Sequence, residues 1–439
     1  MDGQVVPVGS AQHCDVLVIG AGPAGATIAT LLAERGHHVV VVEKDRHPRF
    51  HIGESLLPLN LPLFDRLGIR AEVESGAIRK YGVEFVSPYH GKTITFDFSR
   101  ALDKRFPYSF QVRRSVLDEL MARNAQVKGA TVIEGMRVTA VDLGDGTGAC
   151  VTARDEGGTE HRWEARFVVD ASGRDTFLAG QLGLKQRNPK NSTAAVFGHF
   201  TGARRLPGKA EGNISIVWFD HGWFWFIPLL DGATSVGAVC PSSLFKTRNT
   251  TDLTAFLMSL VAEAPEIADR LKDAQLVGPA QATGNYSYSS TQIKGRNYLL
   301  LGDACAFIDP VFSAGVYIAM STAVFGAEAV DAVLRQPQRA DRALKLYERQ
   351  TRKALDAFTW FVYRIREPAL RNLFMSPRNI LRMEESVLSL LAGDIFGNQQ
   401  LRGRLTMFKM IYYITKLSHL RHRLRPARRQ AAGAADAAA

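Results

Sequence analysis

A chain of 439 residues is long enough for two or three domains, and 46% hydrophobic with 22% charged residues excludes a wholly disordered or collagen-like polymer. Four scattered cysteines (Cys14, Cys150, Cys240 and Cys305) form no CxxC pair, which speaks against a metal centre or a disulfide framework. The net charge of +11 is uneven: from Lys416 onward six Lys/Arg face a single acid, Asp436, so a mildly basic body carries a basic tail rather than a nucleic-acid-binding stripe. No run of 18 or more apolar residues predicts a spanning helix, and the opening MDGQVVPVGSAQHCDV lacks the basic end and apolar run of a secretion signal. A cytoplasmic protein is expected.

In chain order, CDVLVIG (14–20) is a short apolar run ending in glycine, GATIATLLAERG (25–36) reads as a helix, and HVVVVE (38–43) reads as a second buried strand. Together they make a β-α-β unit. From about 80 to 110 the pattern shortens to alternating segments such as VEFVS and KTITFDF, as in antiparallel strands. A helix is expected over 114–128, alternation returns over 131–170 and closes on RFVVD, and 191–240 reads as a second, aromatic-rich sheet. YLLLG (298–302) is another buried strand, followed by an Ala-rich helix near 314–335. Beyond about 340 the chain turns helical, with heptad-like apolar spacing over 343–365 and again over 401–424. The organisation is therefore α/β: a discontinuous domain within 1–340 (about 12–79, 111–185 and 291–340), an interleaved β-sheet domain (about 80–110 and 186–290), a helical region over 341–425 and a disordered tail over 426–439.

The run Gly20-Ala21-Gly22-Pro23-Ala24-Gly25 follows a strand and opens a helix, the context a dinucleotide fingerprint requires. Gly20 permits the tight turn, Gly22 lets backbone approach a pyrophosphate, and Gly25 lets helix pack on strand. The helix start then offers unpaired amides to the phosphates. Glu43, 21 residues beyond Gly22, stands where a carboxylate accepts hydrogen bonds from ribose hydroxyls. NAD and FAD remain open on these residues alone.

Two later strand ends, Asp170-Ala171-Ser172-Gly173-Arg174 and Gly302-Asp303-Ala304, make the chain resemble the FAD-dependent aromatic hydroxylase superfamily over roughly residues 14–335. The resemblance implies a Rossmann-like FAD-binding domain with an inserted antiparallel β-sheet substrate domain. It implies that Asp303 accepts from a ribityl hydroxyl and that Arg114 lies near the FAD phosphates, with Arg113 as the neighbouring alternative.

Within that superfamily the chain is most similar to flavin-dependent halogenases of the pyrrole and phenol type. Trp223-Phe224-Trp225-Phe226-Ile227-Pro228 matches their WxWxIP pattern, and Phe307-Ile308-Asp309-Pro310-Val311-Phe312-Ser313-Ala314-Gly315 matches FxxPxxSxG. Lys80, before Tyr81-Gly82, matches their active-site lysine, with Arg79 one position away, and Ile52-Gly53-Glu54-Ser55 resembles their flavin-covering loop. The resemblance implies that Gly53, Glu54, Ser55, Pro310 and Gly315 serve the flavin, and that Ser313, Ala314 and Gly315 hold chloride or bromide. It also implies that Trp223, Trp225, Ile227, Pro228 and Phe307 line a tunnel. Tryptophan halogenases carry a glutamate before the motif serine; here that position is Phe312, so phenols or pyrroles are expected in place of free tryptophan.

On that resemblance a separate flavin reductase supplies FADH2, and oxygen and halide yield hypohalous acid. Lys80 then presents the halogen to an electron-rich ring, free or tethered to an acyl or peptidyl carrier protein. For the base that removes the ring proton, Glu54 and His51 are candidates by proximity in sequence alone. The basic C-terminal helices admit three readings: carrier docking, a solvated face, and a membrane-surface contact. Three rivals stay open: an aromatic monooxygenase, a geranylgeranyl-reductase-like oxidoreductase, and a flavin-binding accessory protein without catalysis.

Overall fold

The computed structural model describes residues 11–145, 147–188, 192–284, 287–308, 310–365, 367–375, 383–394 and 403–417. The tail over 426–439 expected to be disordered, most of the basic stretch after Lys416, and Asp309 lie outside the described residues.

Valine- and leucine-rich runs too apolar to leave either face in water build a central sheet. Its strands run in the order Thr131–Glu134, Val39–Glu43, Gln12–Ile19, Glu160–Asp170, Ala149–Asp155, Met136–Asp142, with Tyr298–Leu300 also pairing Glu160–Asp170. The inner strands pair in parallel and the Ala149–Asp155 and Met136–Asp142 strands antiparallel. Helix Pro23–Ala33 packs between this sheet and the long helix Gly315–Arg335. That long helix is the Ala-rich helix expected near 314–335. By length and composition it could cross a membrane, yet 67% of its apolar window is buried, against Pro23–Ala33 on one side and the helix Ala340–Val362 on the other. Its apolarity is that of a core helix.

The second sheet has the order Gln275–Gly284, Thr193–Thr201, Thr234–Pro241, Gly222–Pro228, Ile214–Phe219, Gly82–Ser87, Lys92–Asp97. Strand alternation divides its side chains between two cores. Phe224 and Phe226 face outward into a cluster closed by the helix Leu253–Ala262. Trp218, Trp223, Trp225 and Ile227 face inward into a cluster shared with the C-terminal helices through Phe361, Phe374 and Tyr412. Between the two sheets, Ala77–Lys80 pairs antiparallel with Ser109–Val112, and Ser55 bridges to Gln111 on the far edge of that pair. The segment carrying Lys80 thus belongs to a separate two-stranded ribbon, made by strands more than 25 residues apart in sequence. The helical stretches over 340–365, 367–375 and 403–417 close the inward face.

Candidate active site

One cavity of about 280 Å³ runs from the glycine turn to the inward face of the second sheet, lined among others by Gly20, Gly22, Glu43, Arg114, Asp303 and Trp223. At the turn, Gly20 holds φ +98°, and an added Cβ would stand 2.6 Å from the Ala171 carbonyl oxygen. At Gly25 an added Cβ would stand 1.9 Å from the Gly20 carbonyl oxygen, so only glycine lets helix Pro23–Ala33 sit this close. Gly22 is different: its nearest neighbour would be Arg49 Nη2 at 3.7 Å, leaving the backbone open to a ligand. Glu43 ends its strand in the cavity wall, where Oε2 accepts from Ala21 N at 2.7 Å and from Arg49 Nη2 at 3.4 Å.

Arg114 and Arg113 separate cleanly. Arg114 begins the helix Arg114–Val127 inside the wall, donating to both Asp118 carboxylate oxygens at 2.8 and 3.0 Å and to Ile52 O at 2.8 Å. Burial acts to raise the Asp118 carboxyl, but Arg114 and Arg49 outweigh it and hold it below its ordinary range. Arg113 turns outward to Asp231. Asp303 faces the cavity and its carboxylate accepts no hydrogen bond from another described residue; burial pushes it up to about 6 against the pull of Arg174 and Arg114. Such an unpaired carboxylate in a wall with open glycine backbone suits a polyhydroxylated nucleotide cofactor. The residues fit FAD.

Not every candidate lies in the wall. Gly25, Asp170 and Gly302 stand one layer behind it. Asp170 accepts from Ser172 N at 2.9 Å and Leu178 N at 2.8 Å, which pins the turn that carries Ser172 and Arg174, both wall residues. Gly302 has φ +52° and packs on Ala319, where an added Cβ would come within 3.1 Å. Ala24 is in the wall. Gly53, Glu54 and Ser55 line it as well, with Glu54 Oε1 2.8 Å from His199 Nε2. His51 joins them; burial and then Arg114 press its imidazole down to about 4, so it is neutral at physiological pH.

Toward the second sheet, Trp223, Trp225, Ile227 and Phe307 line the cavity, and Trp225 Nε1 donates to Ser235 Oγ at 3.1 Å. Pro228 does not; it ends the strand opposite Thr234. In the second motif Ser313 and Gly315 are wall residues while Ala314 is buried behind them, and Pro310 only opens the short turn Pro310–Phe312. Ser313 holds φ +57°, a left-handed conformation rare for a side-chain-bearing residue, and Gly315 begins the 21-residue helix with open space around its Cα. Phe312 turns away, packing on Phe361 and Phe374.

Lys80 is fully buried. Its Nζ donates to Ser55 Oγ at 2.9 Å and to Leu56 O at 3.0 Å, with the Phe98 ring centroid at 5.4 Å. The amine therefore sits one hydrogen bond behind the cavity wall, with Ser55 between. Burial, with no acid to offset it, lowers the amine to about 7. Arg79 points out to an exposed bond with Glu74. Two residues absent from the sequence reading flank the lysine. Ser109 pairs across from Lys80 and Gln111 across from Ile78, and Ser109 Oγ and Gln111 Oε1 are buried without hydrogen-bond partners. Only strand register reveals them, because 29 residues separate Ser109 from Lys80. Among the described residues no three His, Cys, Asp or Glu side chains gather as metal ligands.

A nucleotide cradle, a wall of tryptophans and a sealed amine define a flavoprotein that does chemistry beside its cofactor, and the comparisons agree. The FAD binding domain family model matches residues 13–361. The tryptophan 2-halogenase of Chondromyces crocatus is 36% identical over 340 residues, 76% of this chain and 64% of that protein. The flavin-dependent halogenase armH3 of Armillaria mellea is 32% identical over 373 residues, 79% of this chain and 73% of that protein. The 1H-pyrrole-2-carbonyl peptidyl-carrier-protein chlorinase of Pseudomonas fluorescens is 28% identical over 413 residues, 88% of this chain and 90% of that protein.

Among solved structures, a flavoprotein/dehydrogenase from Cytophaga hutchinsonii superposes with TM-score 0.84 at 29% identity, covering 93% of this chain and 100% of that one. The myxobacterial chondrochloren halogenase gives TM-score 0.77 at 29% identity, covering 89% and 99%. This chain belongs to the FAD-binding flavoproteins and, within them, to the flavin-dependent halogenases.

Proposed function

We propose that this protein halogenates an electron-rich aromatic ring, using FADH2 from a separate flavin reductase, oxygen, and chloride or bromide. Bound in the cavity, the reduced flavin supplies the two electrons that activate oxygen for halide oxidation. The observation that carries the reading is the amine of Lys80, buried with no acidic side chain paired to it among the described residues and joined to the cofactor cavity through Ser55. A lysine lowered to about 7 spends much of its time as a neutral amine near neutral pH, with a lone pair for an electrophilic halogen. The sealed surroundings keep water from competing for that halogen.

The remaining residues divide the work. Gly22 and Arg114 receive the cofactor phosphates, and Glu43 and Asp303 accept from its hydroxyls. Gly315, at the start of a long helix and beside Ser313 in the wall, offers amides and the positive end of the helix dipole to a halide. Trp223 and Trp225 keep the ring away from the flavin. Phenols and pyrroles lead as substrates. A carrier-tethered substrate is supported by one relative, whose substrate is pyrrole-2-carbonyl on a peptidyl carrier protein.

The test supplies purified protein with chemically reduced FAD, oxygen and bromide, and weighs products from phenolic, pyrrolic and indolic acids, each free and carrier-bound. Brominated product that disappears without bromide and in Lys80→Ala supports the reading. Hydroxylated product without halide would replace it with a monooxygenase.

A further inference from the structure

Halogenation as proposed above consumes a proton. One arene C–H, one halide, one oxygen molecule, one FADH2 and one proton become one aryl halide, one oxidised FAD and two waters. The cavity is walled by tryptophans, glycines and buried polar groups, so that proton needs a route inward. The second sheet provides one candidate. Glu54 lines the cavity, is 3% exposed, and shares a 2.8 Å hydrogen bond with His199 Nε2. His199 keeps 14% of its side chain open to solvent. Its strand, Thr193–Thr201, slips register against Gln275–Gly284 between Phe197 and His199, the kind of irregularity that re-aims a side chain. The exposed ring of Phe50 lies edge-on to the imidazole at 5.9 Å. Asp231, held by Arg113, is the further charged group whose field reaches His199. On the cavity side Glu54 adjoins Ser55, the residue that holds Lys80.

We propose that Glu54 and His199 form the proton entry to the cavity; the proposal rests on the halogenase reading. The imidazolium of His199 gives its Nε2 proton to the Glu54 carboxylate. The resulting acid gives that proton to the hydroxide equivalent left in the cavity when halide takes up oxygen, and solvent reprotonates His199. Each transfer breaks one N–H or O–H bond and forms another, and no other reactant is required. Glu54 touches the reacting volume; His199 acts through it and is a positioning and relay residue.

Glu54→Gln and His199→Ala are compared with the unaltered protein for FAD binding, by flavin fluorescence, and for brominated product formed per second from reduced FAD. Both variants are expected to bind FAD within about threefold of the unaltered protein and to lose at least about tenfold in product rate, the scale of one general-acid contribution. Imidazole added to the buffer should restore most of the rate to His199→Ala and none to Glu54→Gln. Unaltered product rates in either variant, or a slow His199→Ala that imidazole does not rescue, would overturn the relay. A second measurement needs no turnover. In the cofactor-free protein, the His199 imidazole NMR signals should shift on Glu54→Gln, as the 2.8 Å bond between Glu54 Oε1 and His199 Nε2 requires. Unmoved His199 signals overturn the proposal even if the protein halogenates. Shifted signals in a protein that halogenates nothing would retain the hydrogen-bonded pair and reject the halogenase reading.

Discussion

Two stretches of the cavity wall are built in opposite ways. The phosphate turn at Gly20–Gly25 is contiguous in sequence, made of backbone, and shaped by what is missing, since added methyl groups at Gly20 and Gly25 would collide with carbonyl oxygens. The corner around Lys80 comes from three separate segments, Ser55–Leu56, Ala77–Lys80 and Ser109–Val112, and is made of side chains that meet only because the strands register as they do. The turn tolerates almost no change of shape. The corner depends on one nitrogen, held by Ser55 and Leu56. Binding and chemistry should therefore fail separately.

The sharpest way to break that contrast is Lys80→Ala. Product formation should fall by at least about 100-fold while FAD binding and FADH2 oxidation stay near normal, which product analysis and absorbance stopped-flow measure together. Loss of FAD binding as well would mean that the corner also supports the cradle. Gly25→Val should do the reverse. The added side chain has no room against the Gly20 carbonyl, so about 3 kcal/mol of stability and measurable FAD affinity should be lost, read by thermal denaturation and flavin titration.

The pH dependence sharpens the chemical half. Lys80 is lowered to about 7 in the folded protein from 10.5 when exposed, so between those values the unfolded chain binds one more proton than the folded one. Stability carried by this site therefore rises with pH across that window, by up to about 1.4 kcal/mol per unit, and is least below 7 where the buried amine is charged. Urea denaturation of the unaltered protein beside Lys80→Met should show this slope in the former only. Product formation should rise through pH 7 as the amine loses its proton.

The smallest effects separate neighbours. Arg114→Ala should weaken FAD binding by about tenfold or more, whereas Arg113→Ala and Arg79→Ala should change binding and stability by about 0.5 kcal/mol or less, as exposed ion pairs do. Equal effects within either neighbouring pair would contradict the division between wall and surface.

Much of this was legible along the chain. The β-α-β start, the glycine spacing, Glu43 at its strand end and the tryptophan alternation are local patterns, and period-two alternation alone puts Trp223, Trp225 and Ile227 on one face. Lys80 and Arg114 were legible by resemblance, but their neighbours Arg79 and Arg113 could not be ruled out until the backbone showed which side chain turns inward and which turns to the surface. Ser109, Gln111 and His199 escaped the reading because polar residues inside strands carry no local signal. Their significance is a partner, or the lack of one, 29 to 145 residues away. The long helix was legible as a helix, but what covers its apolar faces was decided by its packing partners, the helices Pro23–Ala33 and Ala340–Val362.

The sequence by itself determined the architecture, the nucleotide cradle and which side chains could do chemistry, because backbone freedom and hydrophobic period act over a few residues. Only the tertiary structure decided that Lys80 is sealed, lowered to about 7 and linked to the cavity through Ser55, because burial and hydrogen bonding are properties of neighbours brought together from distant parts of the chain.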